Sequence, residues 1–259
     1  MVSVSPSTAA YDAFAPFYDI LARDQDYDWW WSEMLALATG AGLPDDGVRA
    51  LDVACGTGKS TAPLVARGWE VVGVDISAGM LAQARRTLGP DVPLIRHDMR
   101  ELSVLGTFDL VSALSDAVNH LLDTQQLSDA FSSFHRNLAP GGVLVFDVVT
   151  LGGLRTLDTL VQQEPGRIVM LDSGASPDFA PGTTMRGEFV VLEQRTGFRW
   201  ESRRVPHLQR HFTDAEIRDG LAAADLELHG VYGLSDRTIA RPVDELNDER
   251  AIYIVRRPS

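Results

Sequence analysis

The segment RALDVACGTGKSTAPL, residues 49–64, constrains this chain more than any other: a β-branched run ends in an acid and passes through Gly56 and Gly58 toward a helix-forming stretch. A strand that feeds a glycine loop and then a helix is the opening unit of an α/β sheet, with backbone N–H groups gathered where the helix begins. Short apolar runs then alternate with helical stretches. EVVGVDI precedes SAGMLAQARRTL, PLIRHD follows, FDLVSAL precedes DTQQLSDAFSSFHRNL, and GGVLVFDVV ends at residue 149. This alternation predicts parallel strands joined by crossover helices, the first of them spanning about Ser60 to Arg67.

The next sixty residues differ in kind. Gly and Pro punctuate them, and TMRGEFVVLEQRTGFRWESRRVPHLQRHF alternates with the period of two expected of antiparallel strands, with RTG as the turn. The helical TDAEIRDGLAAAD then leads into LELHGVYGL and AIYIVRR, which return to the first pattern. The expected fold is α/β, a Rossmann-like, doubly wound and mostly parallel seven-stranded sheet with an inserted antiparallel substrate cap. Residues 1–150 are expected to hold N-terminal lid helices and a cofactor-binding core, 151–212 the cap, and 213–259 the last helix and strands of the core.

Three chemistries compete for the glycine loop. An ATP-binding loop requires a glycine five residues before Gly58, where Val53 stands, and a β-branched residue there resists the phosphate cradle. A dinucleotide loop requires a third glycine at Thr61 for close approach of helix and strand. The third reading rests on acids. Asp52 ends the first strand, Asp75 the second and Asp98 the third, so three carboxylates line one crevice. Asp52 can orient the loop or accept from a cationic amino group, Asp75 can accept from two ribose hydroxyls, and Asp98 can accept from an adenine amino group while Met99 packs on the ring. Such a crevice repels phosphate and suits a cationic ligand.

Asp52-Val53-Ala54-Cys55-Gly56-Thr57-Gly58 resembles the D-x-G-x-G-x-G loop of class I S-adenosylmethionine-dependent methyltransferases, with Ala54 in the place of the first glycine. The resemblance runs from about Tyr11 to Arg257 through VVGVDISAGMLAQAR, HDMREL, FDLVSALSDAVNHL and LAPGGVLVFDV, in that order. It implies S-adenosylmethionine as cofactor and S-adenosylhomocysteine as product. It implies a cofactor site at Tyr18, Arg23, Asp52, Ala54, Gly56, Gly58, Asp75, Ile76, Asp98, Met99 and Leu114, and no metal. The N-terminal YDAFAPFYDILARDQDY resembles the lid of small-molecule methyltransferases, among them N-methyltransferases of amino sugars and of glycine-like amines. Tyr11, Phe17 and Tyr18 are expected to fold over the cofactor, and Arg23 to meet its carboxylate.

Methyl transfer is an in-line displacement, so positioning and exclusion of water carry most of it, and a base is needed only where the nucleophile must lose a proton. Tyr18 and His120 are the expected catalytic residues, with Ser115, Asp116 and Asn119 facing the acceptor. His120 is either a general base or an orienting group, and both readings stay open. Of Trp29, Trp30 and Trp31, at most one can face a pocket, since neighbours on a helix point three ways. His207 and His211 stand at a metal-like interval, but on a strand that interval spans about 13 Å, so no metal site is expected.

Charge narrows the partners. Twenty-three basic against thirty-six acidic residues give a net charge of −13, which opposes binding to a phosphate backbone. The single cysteine, Cys55, excludes an internal disulfide and suits a reducing cytoplasm. Neither a signal segment nor a run of eighteen apolar residues is present. The expectation is a cytoplasmic monomer or homodimer that methylates N or O of a small natural-product or sugar-like acceptor and touches neither nucleic acid nor membrane. A methyltransferase of macromolecules and a binding protein without catalysis are the alternatives.

Overall fold

A computed structural model describes residues 6–259. Two helices, α1 (Pro6–Leu21) and α2 (Tyr27–Gly40), precede a sheet whose first five strands are parallel neighbours: β1 (Arg49–Val53), β2 (Glu70–Asp75), β3 (Leu94–Arg96), β4 (Phe108–Ala113) and β5 (Leu138–Val149). Their order is β5-β4-β1-β2-β3. Helices α3 (Ala62–Ala66), α4 (Ala78–Leu88) and α5 (Thr124–Asn137) make the crossovers and cover the strands, which explains why β1 and β4 are buried almost throughout. Chain order reverses between β1 and β4. At such a switch point the loops after the strands part and leave a crevice beyond their carboxyl ends.

The first crossover helix is shorter than the sequence predicts. It begins at Ala62 rather than near Ser60, because the hydroxyls of Ser60 and Thr61 are turned back onto Asp52 and hold those residues in the loop.

After β5 the chain leaves the sheet through α6 (Leu151–Thr156) and builds a second, antiparallel sheet of four strands, β6 (Leu160–Glu164), β7 (Arg167–Asp172), β8 (Thr184–Gln194) and β9 (Trp200–Arg210), in that order. The predicted β8–β9 hairpin turns at residues 195–199, where Gly197 adopts φ +64°. The β6–β7 hairpin is additional to the sequence reading. Its two-residue turn is Pro165-Gly166 with Gly166 at φ +73°, the pairing that a type II turn favours.

The chain returns through α7 (Asp214–Ala223), started by a reciprocal cap between Thr213 and Glu216. β10 (Glu227–Ser235), β11 (Thr238–Ala240) and β12 (Arg250–Arg256) then finish the first sheet, β12 antiparallel to β5 and β10 antiparallel to β12. The seven expected strands are all present, and the short β11 adds an eighth by folding back on β10.

Helix α1 joins the two sheets. One side lies on α4, where a side chain at Gly79 would come within 3.0 Å of the Asp12 carbonyl and the Ala15 methyl. The other buries Phe14 against Phe189 of β8, rings stacked 4.1 Å apart, in a cluster with Phe17, Val169, Val191 and Val205. Burying one such ring contributes about 1.5–3 kcal/mol. No helix among the described residues is long and apolar enough to cross a membrane.

Candidate functional site

The loop after β1 is shaped by its backbone. Ala54, Gly56 and Gly58 all take positive φ, +57°, +55° and +82°. Only glycine does so without strain, and Ala54 therefore costs about 1–2 kcal/mol where it stands. Asp52 fixes the loop from below: one carboxylate oxygen accepts from Ser60 (2.9 Å) and Thr61 (2.7 Å), the other from Ser112 (2.8 Å). Trp31 supports the same loop by donating its indole N–H to the Ser60 carbonyl at 2.6 Å.

Above the loop lies a cavity that opens to solvent. It is lined by Ala54, Gly56, Asp75, Ile76, Met99, Leu114 and His120 from the core, by Tyr11 and Tyr18 from α1, by Tyr27 from α2, and by Lys59 and Ser115. A neighbouring cavity shares Ala54, Asp75, Ile76, Met99 and His120 and continues past Asp98, Arg100 and Gln126. The structure thus brings ten predicted residues to this crevice: Tyr11, Tyr18, Ala54, Gly56, Asp75, Ile76, Met99, Leu114, Ser115 and His120.

Other predicted residues stand elsewhere. Asp52 lies beneath the loop, 1% exposed, with its oxygens taken by three hydroxyls. Gly58 faces α4, where a side chain would strike Leu88 at 2.9 Å, so it serves helix packing. Arg23 is turned outward and paired with Glu164 at 3.0 Å, away from both cavities. Asp98 lines the second cavity, but Arg100 grips its carboxylate from two nitrogens and from its own backbone N–H. Burial pushes the Asp98 carboxyl up, and the Arg100 bonds outweigh it and hold the group below the usual range. Phe17 points away from the crevice, under the guanidinium groups of Arg167 and Arg203. None of Trp29, Trp30 and Trp31 lines either cavity.

Asn119 and Asp116 are framework rather than acceptor contacts. Buried Asn119 donates to the Arg210 carbonyl (2.9 Å) and accepts from the Val149 N–H (3.0 Å), tying the loop after β4 to β5 and β9. Asp116 pairs with Arg250 at 2.7 Å and accepts from Gln209. Arg250 also meets buried Asp147 at 2.6 Å. This network holds Ser115 and Asp116 in two successive left-handed conformations, φ +59° and +55°.

Asp75 is the acid most open to a ligand. Its oxygens accept one backbone N–H each, from Gly56 (2.9 Å) and Ser77 (2.8 Å), and each keeps a lone pair for a further donor. Burial pushes its carboxyl up to about 6 despite those two bonds. The donor set decides what fits. One carboxylate with free lone pairs, three tyrosines and a single cation, Lys59, form no phosphate cradle, whereas an adenosine carrying a cationic sulfur and one carboxylate finds a partner for each group.

Toward the four-stranded sheet the crevice ends in a cluster that the sequence reading did not assemble. Tyr11 and His120 are joined at 2.9 Å between phenol oxygen and Nε2, and His120 Nδ1 lies 3.0 Å from the Leu208 carbonyl. A carbonyl only accepts, so Nδ1 carries the proton and Nε2 accepts from Tyr11. Burial lowers the His120 pKa and raises that of Tyr11 well above the ordinary value, so both are neutral near pH 7. His207 packs edge-on against His120 at 5.1 Å, and burial lowers its pKa to about 3. His211 has separate partners, Glu245 and the Gly182 N–H, so the two histidines share no ligand position. Nothing in the local sequence at Tyr11 or His207 marks these contacts. The period-two pattern of β9, which puts His207 on the α1 side with Val205, was the available signal.

Residues 50–142 match a methyltransferase domain family. YqeM of Bacillus subtilis, provisionally named a methyltransferase, is 31% identical over 234 residues, covering 85% of this chain and 88% of that protein. The dTDP-3-amino-3,4,6-trideoxy-alpha-D-glucopyranose N,N-dimethyltransferase of Streptomyces venezuelae is 30% identical over 86% of this chain and 92% of its own length. Among solved structures, S-adenosylmethionine-bound CalS10, an amino pentose methyltransferase from Micromonospora echinaspora, superposes with a TM-score of 0.69 at 26% identity, covering 99% of this chain and 98% of that one. Loop, crevice and full-length similarity agree: the chain belongs to the class I S-adenosylmethionine-dependent methyltransferases and is an enzyme that uses S-adenosylmethionine.

Proposed function

We propose that this enzyme methylates nitrogen, or oxygen, of a small sugar-like or natural-product acceptor, with an amine as the preferred group. The observation that carries the reading is the neutral Tyr11–His120 pair at the closed end of the cofactor crevice. S-adenosylmethionine, when bound, supplies a methyl group on a cationic sulfur. Asp75, Ile76 and Met99 hold the adenosine part, Leu114 borders the methionine part, and Tyr18 presents an aromatic ring to the cation. The four-stranded sheet acts as the substrate cap, with α1 closing the chamber and keeping water out.

His120 and Tyr11 then have defined tasks. Tyr11 donates to His120 Nε2, which leaves its oxygen lone pairs to accept an acceptor N–H or O–H and aim the nucleophile. The proton that the acceptor sheds passes to Tyr11 as the Tyr11 proton passes to Nε2, while Nδ1–H stays on the Leu208 carbonyl. Among the described residues no carboxylate at this end is free to hold an ammonium ion, because Asp116 is already paired with Arg250 and Gln209. The acceptor therefore binds neutral.

The relatives that act on nucleotide-linked amino sugars support a role in secondary metabolism. The net charge of −13 argues against nucleic acid as acceptor. The enzyme works in the cytoplasm, as monomer or homodimer. Transfer of labelled methyl from S-adenosylmethionine to a panel of amino sugars, their nucleotide conjugates and small amines tests it. Labelling of protein or RNA, with none of the small acceptors, would overturn it.

A further inference from the structure

The ligand that this crevice holds carries a carboxylate, and a carboxylate taken out of water needs a cation or donors beside it. Four cations stand near enough to be weighed. Arg23 is committed to Glu164 at 3.0 Å and lines neither cavity. Arg100 is bound to Asp98 and lies toward Gln126. Arg250 is locked between Asp116 and Asp147. Among the described residues Lys59 is the only Lys or Arg lining the cavity above the glycine loop, and it is loosely held.

Its ammonium lies 3.4 Å from the Asp19 carbonyl, in the last turn of α1, and 3.3 Å from the Ala22 carbonyl just after it. The Asp19 carboxylate is 3.8 Å away and already accepts from Thr57 at 2.6 Å. With a side chain 29% exposed, Lys59 has room to turn. We propose that Lys59 binds the carboxylate of S-adenosylmethionine, the task the sequence reading gave to Arg23, and that it does so while still touching the last carbonyls of α1. One ammonium has three protons, so it can serve the ligand and the helix end together. Cofactor binding is thereby coupled to closure of α1, whose Tyr11 and Tyr18 complete the chamber.

The inference rests on the cofactor assignment, and a titration separates the two. S-adenosylhomocysteine and 5′-methylthioadenosine share the adenosine and the sulfur, and only the first has the carboxylate. In calorimetric titrations K59M should weaken S-adenosylhomocysteine about tenfold or more, as loss of a charge-assisted bond implies, and leave 5′-methylthioadenosine within about twofold. K59Q should repeat that selectivity, K59R should restore most of the affinity, and R23M should leave both ligands within about twofold. Equal losses for both ligands, or unchanged binding of both, would overturn the role of Lys59 and leave the cofactor in place. Wild-type protein that binds neither ligand would overturn the cofactor assignment and this inference with it.

Discussion

The two ends of the crevice are built differently. At the cofactor end Ala54, Asp75 and Met99 stand at or just after the ends of strands that are parallel neighbours in one sheet. At the acceptor end Tyr11 comes from α1, His120 from the loop after β4, and His207 and Leu208 from β9, so the Tyr11–His120 bond spans 109 residues and the His120–Leu208 bond 88. The first end is a property of the sheet and is shared by any ligand of the same shape. The second depends on docking of α1 and the antiparallel sheet, and it is where one enzyme of this fold can differ from another.

The sharpest way to break this contrast is Tyr11→Phe. It keeps the ring packed against Phe189 and His120 and removes only the hydroxyl. Turnover should fall by about 10²–10⁴-fold while S-adenosylhomocysteine affinity stays put, since proton transfer acts in the transition state. His120→Ala should lose a similar factor. Because burial lowers its pKa, the acid limb of wild-type activity that belongs to His120 should lie below the ordinary imidazole value of 6.5, and the mutant should lack it. Wild-type turnover in both variants would reduce the pair to packing.

Asp116→Gly tests the framework under the acceptor end. Glycine relieves a left-handed backbone, yet the change removes one of the two carboxylates that hold Arg250 and the acceptor of Gln209. A broken buried pair outweighs the torsional relief, so stability should drop by about 3 kcal/mol in chemical denaturation. An unchanged midpoint would show that Asp147 alone satisfies Arg250.

At the cofactor end, Asp75→Ala should weaken S-adenosylhomocysteine about 10- to 100-fold, through loss of hydrogen bonds to a charged acceptor. The pH dependence has two signs. With the folded carboxyl at about 6 against an ordinary 3.8, the native state holds the extra proton between those values, so stability falls as pH rises across that window. Ribose hydroxyls prefer the ionised form, so cofactor affinity should rise as pH climbs through about 6, and Asp75→Asn should flatten the rise. A flat wild-type profile would argue that Asp75 serves only the Gly56 and Ser77 amides.

The contrast also explains what could be read in advance. Strand ends are written locally: a β-branched run closing on an acid places Asp75 in a crevice whatever else the chain does. The same logic placed Asp52 there too, and it fails because three hydroxyls from Ser60, Thr61 and Ser112 surround that carboxylate, a meeting of β1, its loop and β4 that no local pattern announces. Asp98 shows a nearer cause, since Arg100 two residues on captures it. Asn119 and Asp116 were expected to face the acceptor because the loop after β4 lies over the crevice, but Arg210, Gln209 and Arg250 from distant strands turn them inward.

The smallest effect distinguishes strain from function at matched torsions. Ala54 and Asp116 share nearly the same backbone angle, φ +57° and +55°, one at each end of the crevice. A left-handed alanine costs about 1–2 kcal/mol, and Ala54→Gly removes that cost while returning about 0.4–1 kcal/mol of freedom to the unfolded chain and giving up one partly buried methyl. The net should be a gain of no more than about 1 kcal/mol, or a rise in Tm of about 2–4 °C at most. S-adenosylhomocysteine affinity should stay within about threefold, because the backbone that presents the Gly56 N–H to Asp75 keeps its shape. Glycine at position 54 should therefore be neutral to stabilising where glycine at 116 is harmful. A loss of more than about 1 kcal/mol in Ala54→Gly would mean that the methyl packs against the core more tightly than its torsion strains it, and the cofactor loop would then share the acceptor end's dependence on side-chain contacts.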